Sequence, residues 1–255
     1  MAHPLPGAYE RELFKQADVV FTGGRSLYEA KKLHHRNIHP FPSSIDANHF
    51  GKVRLAPPRP ADIAHITLQR LGFFGAIDER MDLDLVARMA RARPEWNFVM
   101  IGPVVKIDRE SLPQLPNIHW IGGRDYSLLP DYVASWDVGI MPFALNESTR
   151  FISPTKTSEF LAAACPVVST PITDVVSPYG IMGLVEIAST AEEAIVCLER
   201  LMQKNQLRWL KAVDAHLDGN FWDRTCAQMN AYISAPLNES RCEVFADKMI
   251  GASRV

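Results

Sequence analysis

The stretch Ser153-Pro154-Thr155-Lys156-Thr157-Ser158-Glu159-Phe160-Leu161-Ala162-Ala163-Ala164-Cys165-Pro166-Val167-Val168-Ser169-Thr170 decides the fold, because it reads as a charged-tipped apolar helix running straight into an apolar strand. Ser153 is a favoured N-cap, and Pro154 suits the first helical position, where its missing N–H costs nothing. The helix is predicted to start there. Lys156 then falls in the first turn, where the partial positive charge of a helix N-terminus disfavours a cation by about 0.3–1 kcal/mol. A bound phosphate reverses that sign, since free first-turn N–H groups and an ammonium can converge on one anion. Glu159 follows in the Lys-before-Glu order, the poorer one for a helix-surface pair. The plainer reading of both charges is a solvated helix edge. Against it stands the preceding apolar run Val138 to Phe143, which makes the layout strand, loop, helix, strand. In such parallel units ligands sit beyond the carboxyl ends of the strands.

Outward from this stretch the pattern is regular. Strands are predicted at Leu71 to Gly75, Phe98 to Gly102, Ile118 to Gly122 and Val138 to Phe143, with short ones at Val167 to Ser169 and Leu184 to Ile187. Helices alternate with them at Asp82 to Arg93, Leu128 to Trp136 and Ala191 to Lys204. Short apolar strands alternating with amphipathic helices predict an α/β fold with a doubly wound, Rossmann-like parallel sheet. Further helices are expected at Leu207 to Leu217 and Trp222 to Ile233, and an irregular tail over 236–255. On the N-terminal side, a helix at Ala8 to Gln16, a strand at Asp18 to Thr22, a helix ending at Lys32 and an extended piece at Ile38 to Ser43 precede Pro57, Pro58 and Pro60. Those prolines exclude a helix interior or a central strand, so they mark a linker.

The 255 residues are 47% hydrophobic and carry a net charge of −2. That length buries a substantial core, and the charge excludes a nucleic-acid surface as the main business. No apolar stretch is long enough to span a membrane, and the N-terminus lacks a signal-peptide pattern. Cys165, Cys197, Cys226 and Cys242 have no metal-type spacing and read as reduced, cytoplasmic thiols.

Weaker chemical signals lie at the strand ends. In Gly72 to Arg80, Gly75 lets backbone approach a ligand and Arg80 can grip a phosphate; an ordinary turn with a surface arginine is the alternative. Gly102 ends the next strand. Gly122-Gly123-Arg124-Asp125-Tyr126 ends the one after, and presents Arg124 and the Tyr126 ring where a nucleobase could lie. Asp82 and Asp84 open a helix, which explains both carboxylates without a metal. His34 and His35 read as structural, and the sequons at Asn146 and Asn238 carry little weight without a secretory signal.

Together these residues resemble the nucleotide-sugar domain of a retaining GT-B glycosyltransferase of the group 1, or family 4-like, class. Asp18 to Thr22, Ser26 to Lys31, Phe41 to Asp46 and Phe50 resemble the end of its acceptor domain and the crossing to its donor domain. Ser153 to Thr170 resembles its signature helix and strand, and the wording is similar to transferases fused to, or beside, UDP-galactopyranose mutase. The resemblance implies a remnant of the acceptor domain and connector at 1–50, a linker at 51–65, the donor domain at 66–205 and closing helices at 206–235. It implies that Glu159 binds ribose hydroxyls. Phe151 stands where the family has an earlier Glu, and Ala76 and Met81 stand where it often has a diphosphate-binding Arg and Lys. Arg80 and Lys156 are then the substitutes, able to neutralise a leaving diphosphate without a metal.

The expected site is therefore Gly75, Arg80, Gly102, Arg124, Tyr126, Ser153, Thr155, Lys156 and Glu159, with no metal and no cofactor beyond the nucleotide-sugar donor. The expected activity is metal-independent hexosyl transfer from a UDP-sugar in polysaccharide or cell-surface glycan synthesis. Phe151 and the short N-terminal part also fit a non-catalytic nucleotide-sugar-binding or scaffolding module, or a fragment that needs an acceptor-domain partner chain or a second copy. A sugar epimerase would share the fold but not the Phe41 to Phe50 connector. The location expected is cytoplasmic, or peripheral to the inner face of the membrane.

Overall fold

The computed structural model describes residues 6–55, 57–203, 206–218 and 222–235. Helix α1 (Pro6–Gln16), strand β1 (Val20–Thr22), helix α2 (Arg25–Lys31), strand β2 (Ile38–Pro40) and helix α3 (Ala47–Gly51) come first. β1 and β2 pair in parallel as a sheet of two strands. β3 (Arg70–Phe74), α4 (Leu83–Ala92), β4 (Asn97–Ile101), β5 (Ile118–Gly122), α5 (Leu129–Val133), β6 (Val138–Met141), α6 (Thr155–Ala162) and β7 (Val167–Ser169) follow. A short helical turn, α7 (Thr173–Val175), leads to β8 (Glu186–Ile187), α8 (Ala191–Gln203), α9 (Leu207–Leu217) and α10 (Trp222–Ser234).

The second sheet has six strands in the order β5-β4-β3-β6-β7-β8, every pair parallel. This is the doubly wound order expected from the alternation of strands and helices. Side chains alternate between its faces as the pleat requires. Leu71, Phe73, Phe98, Met100, Val138 and Ile140 pack with α4 and α8, while Phe74, Val99, Ile101 and Met141 pack with α5, α6 and α9. Both faces are buried, so each strand reads as a continuous apolar run. The chain order reverses between β3 and β6, leaving a crevice beyond their carboxyl ends.

Several expectations shift. α6 begins at Thr155, one residue later than predicted: Pro154 is the N-cap in an extended conformation (ψ 113°), so Ser153 lies outside the helix and no side chain caps it. The helix predicted over Leu128 to Trp136 shortens to α5, because Trp136 turns its indole over Gly72 and stacks on Phe74 with centroids 6.3 Å apart. The proline-rich stretch is not a free tether. It holds two short 3-10 turns, and Ile63 and Ile66 beside it are buried in the main core. Trp209 also belongs to that core and donates to the Leu184 carbonyl at 3.0 Å, whereas the Trp222 helix, α10, has no buried residue. Tyr232 of α10 stacks on His39 and meets Phe21 edge-on, whereas Leu13 of α1 is left largely in solvent.

Asp82 caps α4 by accepting from the Leu85 N–H at 2.8 Å, as its place at a helix start predicts. His35 is held locally, with Nε2 at 3.0 Å from the Ala17 carbonyl. Cys165, Cys197 and Cys226 are free, and burial pushes the Cys165 thiol up to about 12. No helix among the described residues is long and apolar enough to cross a membrane. The tail, Cys242 and the Asn238 sequon lie outside the described residues.

Candidate functional site

A cavity of about 420 Å³ occupies the crevice at the β3–β6 reversal. Residues after β3 (Ala76, Asp78, Arg80), after β6 (Pro142, Phe143) and at the start of α6 (Ser153, Thr155, Lys156) line it, with Gly23 and Leu27 of the N-terminal part on the far side. Parallel strands aim their carboxyl ends here, so side chains distant in sequence converge.

Lys156 sits in the first turn of α6, whose leading N–H groups have no side-chain cap. Its ammonium forms no ion pair among the described residues; it lies 5.8 Å from the centroid of the Phe73 ring. Burial is the main reason its pKa falls, reinforced by Arg80 and opposed by Glu159 and Asp78. A partly buried cation without an ion pair at the positive end of a helix is held at an energetic cost. Room for it comes from Gly75, whose φ is +136°. A Cβ there would come within 2.2 Å of Lys156 Cε and 2.6 Å of Nζ. Gly102, with φ +154°, supports Gly75 in turn, since its own Cβ would fall 1.7 Å from the Gly75 carbonyl oxygen.

Glu159, one turn along α6, is buried. Burial raises its pKa, and the Lys156 charge and the nearby Tyr126 hydroxyl pull the other way. The Tyr126 hydroxyl is raised, first by desolvation and then by Glu159 and Asp46. Its ring stacks on His49, centroids 4.5 Å apart and 16° from coplanar, and meets Phe50 edge-on. His49 Nε2 lies 3.0 Å from the Tyr126 carbonyl, an acceptor that places the ring proton on Nε2.

Arg80 is at the cavity but engaged. Its Nε lies 3.1 Å from both carboxylate oxygens of buried Asp78, and Nη2 is 2.5 Å from Oδ2. Burial works to raise the Asp78 carboxyl, yet the hydrogen bonds and charge of Arg80 hold it below the usual range. Arg124 is occupied elsewhere, on Asp62, on the Tyr132 hydroxyl and on the Ile121 and Gly123 carbonyls, all between 2.6 and 3.2 Å. Phe151 is on the cavity wall, under the Arg150 guanidinium at 5.0 Å.

The structure thus brings Arg80, Ser153, Thr155, Lys156 and Phe151 to one cavity, with Gly75 behind Lys156, Gly102 behind Gly75, and Glu159 one turn along α6 beside Tyr126. It does not bring Arg124 there. His49, Asp78 and the Phe73 ring are not anticipated by the sequence. Asp78 has a signal, lying two residues before Arg80 in a turn; His49 has none, since its partner is remote in sequence.

Known proteins share this fold. The sequence pattern of the family described as Glycosyl transferases group 1 matches residues 69–204, more than half of the chain. A putative teichuronic acid biosynthesis glycosyltransferase, TuaH of Bacillus subtilis (strain 168), is 30% identical over 161 residues, which are 62% of this chain and 38% of that relative. The chain therefore spans under two fifths of the relative's length. In fold it is similar to HepE of Anabaena, solved in complex with UDP-glucose (TM-score 0.64, 12% identity, 91% of this chain and 70% of that one). It is also similar to WaaG, a glycosyltransferase involved in lipopolysaccharide biosynthesis (TM-score 0.63, 16% identity, 90% and 66%). The six-stranded parallel sheet with its crevice at the reversal, together with a family match over all six of its strands, shows that this chain belongs to the group 1 glycosyl transferases.

Proposed function

We propose that the cavity holds the diphosphate of a nucleoside-diphosphate sugar, UDP-linked in the first instance, and that the chain is the donor half of a retaining, metal-independent hexosyltransferase. Its product would be a polysaccharide or cell-surface glycan. One observation carries the reading: Lys156 is partly buried and forms no ion pair among the described residues, at the uncapped start of α6, against Gly75, at the switch point of the sheet. An anion there converts an unfavourable placement into charge-assisted hydrogen bonds. In the reaction the sugar–phosphate bond breaks and charge collects on the diphosphate. Lys156, the α6 N–H groups and Arg80, once it turns from Asp78, would meet that charge as it develops. Glu159 would accept from the ribose hydroxyls and Tyr126, braced by His49, would flank the base. HepE, which holds UDP-glucose on a similar fold, supports this reading by analogy.

The finer kinship, with transferases fused to or beside UDP-galactopyranose mutase, rests on sequence wording alone. A cytoplasmic place, or one at the inner membrane face, fits the free thiols of Cys165, Cys197 and Cys226 among the described residues. A partner chain or second copy bearing the acceptor side fits the exposure of Leu13, Tyr9 and Leu33 on the N-terminal part. Phe151 favours a second reading, a nucleotide-sugar binder that does not transfer, because it puts an aromatic ring on the cavity wall where the family resemblance leads one to expect a carboxylate. Titration calorimetry with UDP and UDP-glucose in the presence of EDTA tests the binding. Micromolar to millimolar binding that survives the chelator is expected, about −8 to −4 kcal/mol. No binding, or binding restored only by Mg²⁺ or Mn²⁺, would overturn it. Donor consumption in the same samples separates the transferase from the silent binder.

A further inference from the structure

The turn after β3 places an acid, Asp78, on the wall of the cavity where an anion is to bind. Asp78 is 2% exposed, whereas the Arg80 side chain keeps 40%. Its two oxygens are held unequally. Oδ1 accepts the Arg80 backbone N–H at 3.0 Å, a turn-forming contact that does not depend on the arginine side chain. Among the described residues Oδ2 accepts from the guanidinium alone, from Nε at 3.1 Å and Nη2 at 2.5 Å. A turn former explains the first oxygen and leaves the second unexplained.

The other charges around Asp78 are committed or distant. Glu79, on the same turn, pairs at 3.3 Å with Lys106 of the loop after β4, and both are exposed. Asp82, at the start of α4, keeps Oδ1 on the Leu85 N–H. Pro142 and Phe143 after β6 bring no charge, and Lys156 on α6 feels the Asp78 carboxylate without pairing with it. Burial pushes the Asp78 carboxyl up, and the hydrogen bonds and charge of Arg80, with a smaller pull from Lys106, bring it below the usual range. That low value depends on Arg80. Once the guanidinium swings to a diphosphate, Oδ2 is left desolvated and unpaired beside new negative charge, and each of those changes disfavours a carboxylate. A carboxylic acid instead offers a donor to a ligand whose phosphates hold only acceptors.

We propose that Asp78 is a positioning residue that keeps Arg80 at the cavity while it is empty, yields the guanidinium to the donor diphosphate, and takes one proton from solvent in exchange. The handover rests on the donor reading given above. Its consequence is a donor affinity that rises with acidity. Between the pKa of the carboxyl in the free chain and its higher value in the complex, the complex holds one more proton than its parts. Affinity therefore falls as pH rises through that window and is level above it. Lys156 is no confounder, because a lysine with a lowered pKa takes up a proton on binding only toward alkaline pH.

Titration calorimetry of UDP-glucose on the full chain, in acetate and in MES at about pH 5.5, reads the proton through the difference in buffer ionisation heat. UDP-glucose is the probe because its diphosphate is esterified at both ends and lacks the phosphate proton that titrates at about pH 6 in a terminal phosphate. About 0.5–1 proton should be taken up per ligand bound at pH 5.5 and less than about 0.2 at pH 7.5, with affinity about three- to tenfold tighter at the lower pH. Asp78→Asn keeps the acceptor for the Arg80 N–H but cannot take the proton. Its uptake should stay below about 0.2, and its affinity should vary by less than about twofold over the same range. Arg80→Ala, which leaves Asp78 no partner to give up, should reduce the uptake at least about twofold, and it covers the case in which the Asn variant misfolds. UDP-glucose binding without proton uptake at pH 5.5, or with equal uptake in the parent and both variants, would overturn the handover and leave the donor reading standing. No binding at either pH would remove both.

Discussion

Lys156 and Arg124 are both cations near the carboxyl ends of strands in the same sheet, and they are held in opposite ways. Arg124 commits every nitrogen of its guanidinium to Asp62, Tyr132 and two backbone carbonyls, and its pKa rises chiefly through the Asp62 hydrogen bond. Lys156 is partly buried, its pKa is driven down chiefly by desolvation, and its ammonium faces an aromatic ring. The arginine is finished and the lysine is not. Unspent hydrogen-bonding capacity at a desolvated position marks the ligand site better than the residue type does.

The largest way to break this contrast is to remove the space that Lys156 occupies. Gly102→Ala drives a Cβ into the Gly75 carbonyl at 1.7 Å from a φ of +154°, and the neighbour it meets is backbone, which cannot step aside. Strain of this kind costs about 1–3 kcal/mol, and overpacking adds a similar amount. The melting temperature should drop by at least about 5 °C and UDP binding should vanish, as calorimetry would show. Unchanged values for both would mean that the Gly75–Gly102 contact does not shape the cavity.

Lys156→Ala should come next. Losing one charge-assisted contact should weaken UDP by about 1.5–3 kcal/mol, a loss of one to two orders of magnitude in Kd. The pH dependence sharpens the point. The ligand needs the ammonium, so affinity should be full below the lowered pKa of Lys156 and fall as pH rises through it, ahead of the ordinary lysine value of about 10.4. Unliganded stability should move the other way. The unfolded chain binds the proton more tightly, so stability rises across the same interval. Affinity and melting temperature trending together with pH would contradict the assignment.

Much of this is legible in sequence, and the part that is not has a common cause. Periodicity gives β5, β7 and α9 to the residue, because apolar runs bounded by Gly, Pro and Asn leave few alternatives. The start of α6 reads one residue too early. Ser153 is a good cap by type, but the ψ of 113° at Pro154 keeps that residue out of the helix, and Ser153 instead becomes part of the cavity wall. Lys156 is suspect from its place in a first turn, yet its seat against Gly75 has no local signal. Arg124 looks like a ligand residue because it follows two glycines. The carboxylate that absorbs it, Asp62, stands in the proline-rich stretch that reads as a mere linker. Partnerships between residues remote in sequence decide each miss.

Glu159→Gln probes the same helix with a smaller effect. The carboxylate is buried beside Tyr126, and the proposal gives it the ribose and not the phosphates. UDP should weaken about tenfold, roughly 1.4 kcal/mol, while inorganic pyrophosphate stays within about twofold. Parallel losses for both ligands would instead make Glu159 a support for Lys156.

The smallest effect on binding is expected at Arg124, and it is the control on which the comparison depends. Arg124→Ala removes the guanidinium but leaves the Tyr132 hydroxyl donating to Asp62 at 2.7 Å, so that carboxylate keeps a partner. The pair is partly exposed, with side chains 28% and 38% accessible, and such pairs contribute about 0.2–1 kcal/mol. The melting temperature should fall by only about 2–4 °C, and the UDP Kd should stay within about twofold of the parent. If Arg124→Ala weakened UDP as much as Lys156→Ala does, the guanidinium would have to leave Asp62 when the nucleotide arrives. Saturation of hydrogen bonds in the unliganded chain would then say nothing about which cation the ligand meets.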